Sequence, residues 1–232
     1  MSTRLADATW PEVEAGPAST LLVPLGATEQ HGPHLPLGTD TTLAVALAEA
    51  AAEEVPRTVV APPLAYGSSG EHQDFAGTLS IGAAATELVL VELARSATET
   101  FDRVLFVNAH GGNAAPLTGA VTRLRREGRD VRAWSPHWDG DAHAGRCETS
   151  LMLAIAPERV LRECSSPGNQ EPLVELIERL RGEGVRAVAP NGVLGDPTGA
   201  DAAEGRALLA RAAAELCAAV RALAPPVTET LP

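Results

Sequence analysis

Between residues 26 and 40 the chain reads GATEQHGPHLPLGTD, which sets Glu29, His31, His34 and Asp40 among glycines and prolines. A segment so interrupted cannot hold a helix, so its side chains are presented from a loop. Two carboxylates and two imidazoles in such a loop are oxygen and nitrogen donors of the kind that suit Zn, Mn or Fe(II), and an all-oxygen calcium site is disfavoured. Glu29 and His31, two residues apart on extended backbone, can face the same way, and Asp40 can return to the same point at the start of the next helix. Taken alone, Asp40 is better read as a helix N-cap.

The other histidines repeat the pattern. His110 follows the apolar run RVLFVN, His137 and His143 follow DVRAWS, and His72 sits in AYGSSGEHQDFAGTLS after TVVAP. Ligands of open α/β sheets bind where loops converge beyond the carboxyl ends of the strands, and a rim receiving polar residues from four loops is expected to be such a place. Glu148 opens the helical pattern ETSLMLAIA, where an acid would ordinarily serve the helix dipole; Glu71 and His72 would ordinarily be a solvated loop pair.

The elements that must position these residues alternate between apolar runs and longer helical periods, the pattern of an α/β domain with a layered, mostly parallel β-sheet flanked by helices. Strands are expected over 19–26, 58–67, 103–113 and 130–135. Helices are expected over 41–55, with Thr39 or Asp40 as cap, and over 84–101, 115–128, 148–156, 171–184 and 205–223. No repeat or linker divides the 232 residues, which are read as one domain over 1–232.

Composition excludes several classes. A formal charge of −12, from 30 acids against 18 basic residues, opposes nucleic acid and anionic membrane partners. The N-terminal segment has no apolar signal core and no run is long enough to span a bilayer, which favours a cytoplasmic protein. Cys147, Cys164 and Cys217 form no CxxC pair and are expected as reduced, mostly buried thiols.

PLGATEQHGPHLPLGTD, GSSGEHQDFAGTLS, NAHGGN, HAGRCETS and GVLGDPTGADAAEG resemble, in order and spacing, the signature segments of the creatininase family of metal-dependent amidohydrolases. Within that family the likeness is strongest to the creatininase-like peptidases of the mycofactocin biosynthetic system. The resemblance implies a layered α/β fold, closed homo-oligomers, and a centre of one or two divalent ions (Zn, Fe(II) or Mn). It implies Glu29, His31, Asp40 and His110 as metal ligands, Asp40 bridging, and His143 beside the reacting carbonyl as the catalytic proton shuttle. It also implies a modified precursor peptide as substrate, cleaved to release its C-terminal Val-Tyr-derived unit. Hydrolysis of creatinine or another small cyclic amide, or deformylation of a purine-pathway intermediate, are the alternatives within the enzyme class. A non-catalytic module held by a structural ion is the alternative outside it, though such sites are usually rich in cysteine.

One position departs from the family pattern. Where creatininases carry a ligand glutamate two residues after the central histidine, this chain has Gly112. Glu148 is the candidate replacement. Ser69, Glu71 and Trp138 are expected to orient or wall the substrate, and Trp134 to pack in the core.

Overall fold

A computed structural model describes residues 3–16, 19–138 and 140–223; the ends of the 1–232 domain assignment lie outside this range. Four parallel strands, β1 (Thr20–Leu25), β2 (Thr58–Val60), β3 (Arg103–Asn108) and β4 (Val131–Trp134), form a sheet in the order β2-β1-β3-β4. The helices are α1 (Trp10–Ala15), α2 (Thr39–Glu54), α3 (Gly82–Ala97), α4 (Ala114–Arg126), α5 (Arg146–Ile155), α6 (Leu173–Glu183), α7 (Val185–Val188) and α8 (Ala202–Leu223).

The central strands β1 and β3 are nearly continuous apolar runs because both of their faces are covered. Leu21, Val23 and Leu25 of β1, with Val104 and Phe106 of β3, pack against Leu90, Val91 and Ala94 of α3 and Leu117, Ala120 and Leu124 of α4. The alternate residues Leu22, Leu105 and Val107 pack on the other face against Leu47, Ala48 and Ala51 of α2 and Ala212, Leu216 and Val220 of α8. This period of two, buried on both sides, is what helices on both faces of a parallel sheet require. Small residues at the α2 contact let that helix lie close to the strands.

The expected layered α/β architecture is therefore observed, with shifted boundaries. The second strand ends at Val60; beyond it Ala61 still donates to the Leu22 carbonyl and a Leu25–Leu64 bridge follows, but Pro62 and Pro63 between them cannot continue a ladder. Helix α2 starts at Thr39, with Gly38 in the capping position and no side-chain cap. Asp40 thus lies inside the first turn and its carboxylate is free for another task. Helix α8 begins three residues before the expected start, at Ala202, where Asp201 accepts the backbone N–H groups of Ala203 and Glu204. The short α1 and α7 were not expected.

From β1 the chain turns outward to β2 and then crosses to β3 on the other side of β1. The β1 and β3 exits therefore diverge at the sheet centre, a crevice where ligands of open α/β sheets bind. Leu216, fully buried between α8 and the sheet, tests this packing: Leu216→Ala should lower unfolding stability in urea by about 2–5 kcal/mol. Val174→Ala, at a position 78% exposed on α6, should stay within about 0.5 kcal/mol.

Candidate metal centre

The loop after β1 brings Glu29 and His31 to the crevice, and the loop after β3 brings His110. Asparagines fix the second loop. Asn108 accepts the His110 backbone N–H at 3.3 Å and donates to the His110 carbonyl at 2.9 Å. Asn113 donates to the Gly26 carbonyl at 3.0 Å, tying the exits of β1 and β3 together, and accepts from Ser68 N–H at 2.9 Å. The NAHGGN run is thus a set of backbone clamps around one histidine.

Asp40 is the meeting point. Its Oδ1 lies 3.0 Å from His31 Nε2 and its Oδ2 lies 3.3 Å from His110 Nδ1. Glu29 Oε2 lies 3.3 Å from His110 Nε2, and Glu148 Oε2 lies 3.9 Å from His31 Nε2. Two sets of potential ligand atoms, Glu29/Asp40/His110 and His31/Asp40/Glu148, each fall within 4.8 Å of one another and share Asp40. A third set, Glu29/His31/His143, satisfies the same distance.

Three observations fit divalent ions here. Both Glu29 oxygens and Asp40 Oδ2 are buried with no hydrogen-bond partner among the described residues, a costly state for a carboxylate unless a cation faces it. His31 turns Nδ1 to the Glu29 carbonyl at 3.1 Å and His110 turns Nε2 to the Ser68 carbonyl at 2.9 Å, so each keeps its other nitrogen toward Asp40. Tying one ring nitrogen to a carbonyl while the other faces the ion is the usual outer support of a metal-bound histidine. The donors are nitrogen and oxygen alone. Cys147, beside Glu148, has its thiol pushed up to about 12 by burial and by the neighbouring carboxylates, and supplies no thiolate.

The electrostatics say what stands in for the ions when they are absent. Burial would lower His31, yet Asp40 at 3.0 Å and the charges of Glu148 and Glu29 raise it to about 10. His110 is likewise raised well above its ordinary value against burial, by Glu29 and Asp40. Burial would raise Glu29, but His110 and His72 hold it down at about 2, and Asp40 is depressed by His31 and His110. Protons on two imidazoles thus balance the buried carboxylates.

The remaining expected residues are placed as follows. His143 lies 8% exposed with its ring 4.3 Å from that of His31. Leu194 pins it through paired backbone bonds at 3.2 and 2.9 Å. Glu148 Oε2 also accepts Ala144 N–H at 2.6 Å, so this carboxylate caps its own helix while facing His31. Glu71 stands in the space beside Gly112: a Cβ there would meet Glu71 Oε1 at 2.7 Å, His110 Nε2 at 2.4 Å and the Ser68 carbonyl at 2.2 Å. A side chain at 112 has no room.

A cavity of about 860 Å³ opens over Glu29, Glu71, His72, His110 and His143, with Leu173, Ile177 and Leu180 of α6 as its apolar side. Two expected substrate contacts are not on its wall. Ser69 is wholly buried with its hydroxyl 3.4 Å from His110 Nε2. Trp138 packs against the clusters around α8 and α5 instead, as an indole with apolar neighbours does. His137 is exposed, and His34 is buried with Nε2 2.9 Å from the Thr149 hydroxyl. Residue type did not single out His72 or Gln30, which surround Glu29 and His143; His72 is visible in sequence only as the histidine of the loop after β2.

A parallel sheet with buried carboxylates and imidazoles converging at its topological switch point gives the chain a candidate metal centre. The family profile described as Creatininase: Creatinine amidohydrolase matches residues 6–220. The chain belongs to the creatininase family of hydrolases acting on C–N bonds. It is 53% identical over 212 residues to the mycofactocin precursor peptide peptidase of Mycobacterium ulcerans (strain Agy99), covering 87% of this chain and 81% of that protein. It is 54% identical over 197 residues to the protein of the same description from Mycolicibacterium smegmatis, covering 82% and 79%. Among solved structures, a Zn-Zn form of a creatininase variant matches with TM-score 0.82 and 25% identity, and a creatininase described with Mn matches with TM-score 0.81 and 26% identity. Each covers 97% of this chain and 100% of the other.

Because His31 and His110 hold protons that an ion must displace, titrating the metal-free protein with Zn(II) should release acid near pH 7. Affinity should strengthen as pH rises from 7 toward 10 and weaken as it falls. Calorimetry in buffers of different ionisation enthalpy counts the protons; binding without release would contradict the charge balance described above.

Proposed function

We propose that this chain is a metal-dependent peptidase of mycofactocin biosynthesis, which releases the modified C-terminal Val-Tyr-derived unit from the precursor peptide by hydrolysing the preceding amide. The observation that carries it is the pair of ligand sets sharing Asp40, of which Glu29 and His110 reach the wall of an open cavity. In this reading Glu29, Asp40 and His110 hold one ion, and His31, Asp40 and Glu148 hold the other; Zn, Mn and Fe(II) all suit this donor set. The relatives' described activity supports the substrate. So does the cavity, whose volume of about 860 Å³ is of the size that takes drug-sized ligands and exceeds what creatinine needs.

Bound divalent ions supply an easily ionised water and polarise an amide carbonyl. The protein contributes the rest. His143, on the cavity wall, is lowered from its ordinary value by burial, so it can take a proton and return it to the departing amine nitrogen. Glu71 is half-buried on the same wall, where its carboxylate can accept a peptide N–H. The apolar side of α6 excludes water from one flank of the substrate. No described helix is long and apolar enough to cross a membrane. Assembly into a homo-oligomer and a cytoplasmic location belong to the same reading; exposed Tyr66, Leu79 and Ile81 support the first.

Metal-loaded protein incubated with the modified precursor should give the released unit by mass spectrometry, and creatinine should stay intact. Chelation should abolish cleavage. Asp40→Ala should lose bound metal and turnover together, whereas His143→Ala should retain metal and lose about 10²–10⁴-fold in rate. Cleavage that survives complete metal removal would overturn the proposal.

A further inference from the structure

Gln30, buried between Glu29 and His31, controls where the protons of two neighbouring imidazoles sit. Its Oε1 accepts the Gly32 backbone N–H at 2.9 Å, which settles the orientation of the amide. Its Nε2 has two N–H groups and three neighbours: the Gly192 carbonyl at 3.1 Å, His72 Nδ1 at 2.8 Å and His143 Nε2 at 3.1 Å. The carbonyl can only accept, and takes one N–H.

His143 Nε2 also lies 2.8 Å from the Gln30 backbone carbonyl, another group that can only accept. That nitrogen must therefore carry a hydrogen and cannot receive the second N–H. His72 Nδ1 receives it and is bare. His72 then bears its hydrogen on Nε2, 3.3 Å from Glu29 Oε1, and His143 turns Nδ1 toward the same oxygen at 3.9 Å. The backbone is shaped around this amide: Gly192 adopts φ +79°, and a Cβ there would fall 1.8 Å from Gln30 Oε1.

We propose that Gln30 is a positioning residue that sets the tautomers of both rings, presenting the Nδ1 of His143 for proton exchange and turning the hydrogen-bearing Nε2 of His72 to the side of Glu29. For neutral rings the tautomers follow from hydrogen-bond valence; the use of Nδ1 as proton acceptor rests on the hydrolase reading above.

Full-length protein labelled with ¹⁵N in its histidine rings, metal-free and Zn-loaded, reports both assignments by NMR. His72 and His143 should each appear with the hydrogen on Nε2. In Gln30→Glu, whose carboxylate can only accept, His72 should shift its hydrogen to Nδ1 while His143, held by the unchanged backbone carbonyl, should keep its own. Gln30→Met, which removes the donor without adding charge, should give His72 mixed tautomers and weaken Zn affinity by about 10–100-fold. Wild-type His72 with its hydrogen on Nδ1, or a His72 tautomer unmoved by both substitutions, would overturn the proposal, and the wild-type spectrum decides even if a variant fails to fold. Correct tautomers in a protein that does not cleave the peptide would sustain this assignment and refute the hydrolase reading instead.

Discussion

The centre is organised by buried negative charge that the polypeptide does not itself satisfy. Glu29 and Asp40 place three oxygens away from water that accept no hydrogen bond among the described residues, and a fold of ordinary stability carries such groups only when something positive answers them. Protons on His31 and His110 can do so, and divalent ions can do so at the same place. Metal binding and protonation are therefore alternative solutions to one electrostatic problem, which is why the imidazoles are shifted upward although burial acts in the opposite direction.

The sheet makes that arrangement feasible. A parallel β1–β3 pair buried on both faces is stiff, and its two exits diverge at the point where strand order reverses. Asn108 and Asn113 then fasten one exit to the other, so that Glu29 and His110 are held by the same rigid layer. Asp40 comes from the first turn of α2, whose register is fixed by packing against Leu22 and Leu105. The loops carry the chemistry, but their ends are anchored in the core.

Much of this was legible in the sequence, for reasons that differ by residue. The strands could be read because parallel strands covered on both sides are continuously apolar, and the helices because their apolar residues recur at helical spacing. Glu29, His31, Asp40 and His110 stood out because carboxylates and imidazoles among Gly and Pro have few other uses. Asp40 as an N-cap was the reasonable local reading; tertiary contacts with two histidines outweighed it. Trp138 could not be placed because an indole serves a core and a substrate wall equally well, and the difference lies in α8, sixty or more residues away. Gln30 was invisible because an amide earns its role only from its neighbours' geometry, and the loop holding Gly192 is far off in the chain.

Cys147 gives the centre a further property. Burial and the neighbouring carboxylates push its thiol up to about 12, which disfavours the thiolate that would act as nucleophile or soft metal ligand. A sulfur so close to the candidate ligands is thus a neutral, buried thiol that leaves the donor set to oxygen and nitrogen, whereas Cys164 is exposed to solvent.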